Sequence, residues 1–299
     1  MNQISETIVF FGSGDVAARS LELLAANFNI EAVITKPQPE HHKAQFPVLA
    51  IAEKLGLKIL TTAGKQELTD LFANNPVESR IGVVIDYGII MPRAVIDSFE
   101  FGIVNSHFSL LPHLRGADPI SFAILEGDDQ TGVSLMLIVE ELDEGKLLDQ
   151  RSLKIHDDDT PNLTTRLIEL SDQMLLEALP RYVTGEIKPY LQAETGVSYS
   201  RKLTKADSQL DWQKPAEVLA REVRAFKGWP RSRCMLGTQG VIVTEAHAAP
   251  GTNVPGTIWL ADKQLGMNCS EGILIIDKLI PLGKKEMTAH DFFLGYKPA

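Results

Sequence analysis

The run Thr7-Ile8-Val9-Phe10-Phe11, stopped by Gly12-Ser13-Gly14, constrains the fold more than any other stretch of the chain. Five consecutive apolar or β-branched residues without polar alternation suit a strand buried on both faces. Asp15 follows, and the spacing of Val16, Leu21, Leu23 and Leu24 predicts a helix. The pattern then recurs. Ala32-Val33-Ile34-Thr35 reads as the next strand, Phe46 to Leu55 as a helix, and Ile81 to Ile85 and Phe101 to Asn105 as buried strands. Val133 to Ile138 continues the sheet, and Asp159-Thr160-Pro161 has the capping side chain and early proline of a helix start. Strands alternating with helices predict an α/β fold with a doubly wound, Rossmann-like parallel sheet over residues 1–187.

From Lys188 to Ser200 the periodicity fades into polar residues around Gly196, which reads as a linker. Residues 201–299 follow a different pattern. After a helix from about Ala216 to Phe226 come short β-rich runs at 240–244, 256–260 and 273–276, broken by Gly and Pro, which predict a small open β-barrel of the OB type. With 299 residues, 44% of them hydrophobic, the chain can bury two cores. Cys234 and Cys269 have neither metal nor redox spacing, so free thiols and a reducing cytoplasm are expected. A polar N-terminus and the lack of any run near the ~18 apolar residues of a membrane span argue against a leader or membrane helix. Residues 1–200 hold 15 basic against 29 acidic side chains, whereas 201–299 hold 14 against 10. That contrast suits a second region facing a polyanion such as RNA, or simply a solvated surface.

Two segments invite a chemical reading. Gly12-Ser13-Gly14-Asp15-Val16-Ala17 has the spacing of a dinucleotide fingerprint, which would make the chain a nicotinamide-dependent dehydrogenase. The ribose-binding acid belongs at the end of the second strand, however, where Thr35-Lys36-Pro37 stands, and Asp15 would repel a pyrophosphate. A plain tight turn is the simpler expectation. The second segment is the polar cluster from Asn105 to Pro119, directly after a buried strand, where open parallel sheets place ligands. Asn105 and His107, two apart, share a strand face; an amide can donate to an oxyanion and an imidazole can relay protons. Asp143 also follows a strand and could orient the imidazole if the two strands are neighbours. Residue chemistry alone leaves another possibility open: Asn105 and His107 could merely satisfy a strand end, and Glu140, Glu141, Asp143 and Glu144 could form a solvated turn. Glu40-His41-His42 and Asp157-Asp158-Asp159 lack ligand spacing, so no metal is expected.

Asn105-x-His107-x-Ser109-Leu110-Leu111-Pro112, Arg115-Gly116-Ala117 and Leu142-Asp143-x-Gly145 resemble the signature of the 10-formyltetrahydrofolate-dependent formyltransferases. The resemblance implies that Asn105, His107 and Asp143 form a catalytic triad, and that Ser109, Leu110, Leu111, Pro112, Ile85, Asp86, Tyr87 and Gly88 line the folate pocket. It implies 10-formyltetrahydrofolate as co-substrate, without a metal. Asn105 and His107 would stabilise the oxyanion, and Asp143 would assist proton removal from the attacking amine. Arg201 to Lys205, Leu210-Asp211-Trp212, Arg224-Ala225-Phe226-x-x-Trp229-Pro230 and Pro255 to Ile258 resemble the C-terminal domain of family members that formylate initiator methionyl-tRNA. That tRNA is the expected partner, with no obligate protein partner. An amino sugar nucleotide or another small amine is the alternative acceptor, suited by a Lys36 to Lys43 stretch that is shorter and less basic than is usual in the family. Phe108, Asp86 and Lys146 also depart from the common pattern.

Overall fold

The computed structural model describes residues 6–38, 45–252, 254–261 and 264–296. Glu40, His41 and His42, and the part of the Lys36 to Lys43 stretch from residue 39 onward, lie outside the described residues. The chain divides into two compact units: residues 1–116, 131–153 and 164–199 make the first, and residues 117–130, 154–163 and 200–299 the second.

The first elements are β1 (Thr7–Phe11), α1 (Asp15–Ala25), β2 (Asn29–Thr35), α2 (Pro47–Lys54), β3 (Ile59–Thr61), α3 (Lys65–Asn74), β4 (Ile81–Val84), α4 (Arg93–Ile96) and β5 (Ile103–His107). There follow β6 (Arg115–Gly116), α5 (Pro119–Glu126), β7 (Gln130–Leu137), β8 (Leu147–Lys154), α6 (Thr160–Val183) and β9 (Tyr199–Ser200). Seven strands form one sheet in the order β3-β2-β1-β4-β5-β7-β8. The last four residues of β1 and β2 and all of β4 are buried, as continuous apolar runs require. Phe11 packs against Phe72, Tyr87 and Phe99 with ring centroids 5.8–6.1 Å apart, anchoring one face of the core. The expected start of α6 is present, with the Asn162 N–H donating to Asp159 Oδ1 at 3.0 Å.

The sheet departs from the sequence expectation in one respect. β3, β2, β1, β4 and β5 are parallel, but β7 runs antiparallel to β5. A parallel return needs a crossover layered on the sheet. The connection from β5 to β7, residues 117–130 with α5, groups with the second unit.

The second unit contains α7 (Ala216–Ala225), β10 (Ser232–Leu236), β11 (Gln239–Ala249), β12 (Ile258–Ala261), β13 (Gln264–Asn268), β14 (Ile273–Pro281), β15 (Met287–Thr288) and α8 (Ala289–Tyr296). Its strands pair antiparallel in the order β10-β11-β14-β13-β12, with β15 added to β14. Ala216, Leu219, Ala220 and Val223 recur at helical spacing and bury the inner face of α7 against Leu236, Val243, Leu274 and Ile276. Phe292 of α8 completes this core. Among the described residues no helix is long and apolar enough to cross a membrane.

Candidate active site

Side chains alternate across β5. Ser106 points toward α6, where its hydroxyl meets that of Ser171 at 2.6 Å, so Asn105 and His107 project from the opposite face. Register decides what lies beside them. Asn105 is level with Val84, the last residue of β4, and with Met136, near the end of β7. The segments leaving β4 at residue 85 and β7 at residue 138 therefore both begin next to Asn105, and β7 is the neighbour that Asp143 needs.

His107 is buried, and its Nε2 lies 2.9 Å from the Leu114 carbonyl oxygen. A carbonyl only accepts, so Nε2 carries a proton, and Nδ1 is the ring atom left to take up or release one. Asp143 Oδ2 stands 3.9 Å from that Nδ1, with both side chains less than a tenth exposed. This separation exceeds a hydrogen bond, so the carboxylate acts on the ring through its field. The same oxygen accepts the Gly116 N–H at 2.7 Å, which fixes where the charge sits. Asp143 adopts a left-handed backbone (φ 54°), and a Cβ on Gly145 would fall 1.6 Å from the Leu137 carbonyl oxygen. Only glycine lets this turn close. The structure thus brings together all three residues expected to be catalytic.

The expected folate-pocket residues divide into two groups. Ser109 is inaccessible, its hydroxyl donating to the His113 carbonyl at 2.6 Å. The Leu111 N–H donates to Ser134 Oγ at 3.0 Å, and Gln150 Nε2 donates to the Leu111 carbonyl at 2.9 Å. Leu111 and Pro112 are buried. Ile85 is wholly buried, and Tyr87 turns into the aromatic core with its hydroxyl 3.0 Å from Thr62 Oγ1. Burial pushes the Tyr87 phenol up, against the pull of the Thr62 hydrogen bond. These five side chains shape the loops. Leu110, Asp86 and Gly88 keep accessible surface. Two apolar residues that the sequence pattern did not single out, Ile90 and Val139, are exposed on the segments that leave β4 and β7, as is Leu142 of the signature motif. The available signal was apolar side chains persisting where a polar loop is expected. Arg115, quoted above only as part of a motif, is buried and pairs with Glu144 at 2.8 Å.

The glycine turn after β1 has a different character. A Cβ on Gly14 would lie 2.1 Å from Asp86 Oδ2, and the Ser13 N–H donates to the Asp86 carbonyl at 3.1 Å. Two carboxylates, Asp15 and Asp86, thus occupy the N-terminus of α1, where a dinucleotide would place its pyrophosphate. The turn is closed by the neighbouring strand's exit.

Residues 7–179 match the formyl transferase family and residues 202–297 match the formyl transferase C-terminal domain. A methionyl-tRNA formyltransferase of Methylococcus capsulatus is 40% identical over 296 residues, covering 95% of this chain and 95% of the relative. The N-formyltransferase of Helicobacter canadensis, solved with folinic acid and dTDP-3-aminofucose, shares the fold at 16% identity. Its TM-score is 0.70, covering 95% of this chain and 100% of that one. A glycinamide ribonucleotide transformylase from Symbiobacterium toebii shares it over 62% of this chain and 94% of its own, at 17% identity and a TM-score of 0.52. Matched in both of its parts and related along nearly its whole length, the chain belongs to the formyl transferase family.

Proposed function

We propose that the protein transfers the formyl group of 10-formyltetrahydrofolate to the free α-amine of initiator methionyl-tRNA, in the cytoplasm. The observation that carries the chemistry is Asn105. Its half-buried side-chain amide shares a strand face with His107 and has no hydrogen-bond partner among the described residues. A neutral donor held in that position suits a carbonyl oxygen that gains negative charge as its carbon is attacked.

The site fits a folate. Ile90, Val139 and Leu142 offer aliphatic surface for a flat ring on the two segments that begin beside Asn105, with Leu110 available from the third. When bound, formylfolate supplies the formyl carbon that the amine attacks and the nitrogen that leaves it. The remaining work falls to the chain. The Asn105 amide donates to the formyl oxygen as charge develops there. Neutral His107, its Nε2–H committed to Leu114, takes the proton lost by the attacking nitrogen at Nδ1 and returns one to the leaving nitrogen. Asp143 stabilises the imidazolium formed between those steps. This shifts His107 from oxyanion donor toward proton carrier.

The acceptor rests on the methionyl-tRNA formyltransferase of Methylococcus capsulatus, with the C-terminal match and the basic excess of residues 201–299 as further support. The test is to incubate the protein with 10-formyltetrahydrofolate and charged initiator tRNA, and in parallel with an amino sugar nucleotide. Formylation of the tRNA, with a rate that falls steeply as salt is added, is expected. Modification of the sugar alone would sink the tRNA reading.

A further inference from the structure

We infer that Gln192 is a positioning residue for formyl transfer, holding the Asp143 turn from the segment that links the two sequence regions; this rests on the role given above to Asp143. The Gln192 amide group donates to the Asp143 carbonyl at 2.7 Å and to the Gly145 carbonyl at 2.9 Å. Its oxygen accepts from Arg115 Nη2 at 2.9 Å and Nε at 3.3 Å. Both amide hydrogens and both oxygen lone pairs are therefore used. One side chain bridges a buried guanidinium and the two carbonyls that bracket the tightest part of the turn.

The turn needs such a clamp. Glu140, Glu141, Asp143 and Glu144 follow one another closely and repel, and Asp143 holds a left-handed backbone. Arg115 meets this charge at Glu144, but a cation cannot set the rotation of a peptide plane. Two donated hydrogen bonds to carbonyls two residues apart can. The segment carrying Gln192 is itself fastened on either side. Tyr190 and Leu147 exchange backbone hydrogen bonds at 2.8 and 2.9 Å. Ser198 accepts the Arg115 N–H at 2.9 Å on its carbonyl and the Leu114 N–H at 2.9 Å on its hydroxyl. Since Leu114 also receives His107 Nε2, residues 190–198 hold the supports of both His107 and Asp143.

The test uses the full-length protein with Gln192→Leu, which loses every bond, and Gln192→Glu, which keeps acceptors for Arg115 but offers the two carbonyls no donor. Both are expected to lower kcat about 10- to 100-fold, the scale of a misplacement near 1 Å. KM for the formyl donor stays within about two-fold of wild type. The pH–rate profile is displaced, because the carboxylate no longer faces the imidazole at a fixed distance, and Gln192→Glu keeps a near-native melting midpoint. A kcat near wild type in either variant overturns the inference. So does a loss of kcat that follows the melting midpoint while the pH profile stays put. If the wild-type protein transfers no formyl group, the functional reading fails and the inference with it; if it does and Gln192→Glu matches it, the inference alone fails.

Discussion

The turn after β1 and the loop after β5 both leave buried strands of one sheet, and the first has the glycine spacing of a dinucleotide-binding motif. Yet the first is plugged and the second is open. At Gly14 the Asp86 carboxylate, on the segment leaving β4, comes within 2.1 Å of where a Cβ would stand and takes the place an anion would need. At Asn105, β4 ends level with the amide and β7 is about to turn away, so the side chain is left with accessible space and without a partner among the described residues. Spacing of glycines along one strand does not make a site. Where the adjacent strands leave the sheet does.

Four substitutions sharpen or break that contrast. Asn105→Ala is expected to lower kcat by about 10²–10³-fold with little change in melting midpoint, as removal of one oxyanion donor does elsewhere; steady-state formylation rates check it. Gly145→Ala drives a Cβ into the Leu137 carbonyl, so the turn must shift and carry Asp143 with it. A drop in kcat of about 10²-fold should appear, together with a lowered midpoint. Gly14→Ala meets the Asp86 carboxylate, and its effect should be on stability, about 1–3 kcal/mol by urea titration, with kcat kept within a few-fold. A larger kcat loss at Gly14 than at Asn105 would reverse the comparison. Tyr87→Phe should have the smallest effect, about 1 kcal/mol near neutral pH, for the lost Thr62 hydrogen bond. Its sign in alkali differs. Burial raises the Tyr87 phenol, so the folded group stays neutral while the unfolded chain ionises near pH ~10, and stability falls as pH rises beyond that point. Tyr87→Phe should lessen this alkaline loss in melts at pH 9 to 11.

The strands of the first unit were legible because burial on both faces leaves uninterrupted apolar runs at Ile8–Phe11 and Ile81–Val84. Asn105 and His107 were legible as a pair because a strand carries residues two apart on one face. Asp143 was one acid among several until β7 was placed beside β5. The reversal of β7 left no trace in its own residues, since a buried run reads alike in either direction. Gln192 was hidden for a plainer reason: it bonds to backbone carbonyls 49 and 47 residues earlier, and carbonyls carry no side-chain signature. The same holds for residues 188–200, whose faded periodicity reflects fastening through backbone groups at Leu147, Leu114 and Arg115 rather than through an apolar face.

The most direct test of the account is single-turnover formyl transfer by His107→Ala, with the fold verified by its melting curve. Loss of the proton carrier should slow the chemical step by about 10²–10⁴-fold while substrates still bind. A folded His107→Ala protein that transfers the formyl group at close to the wild-type rate would contradict it.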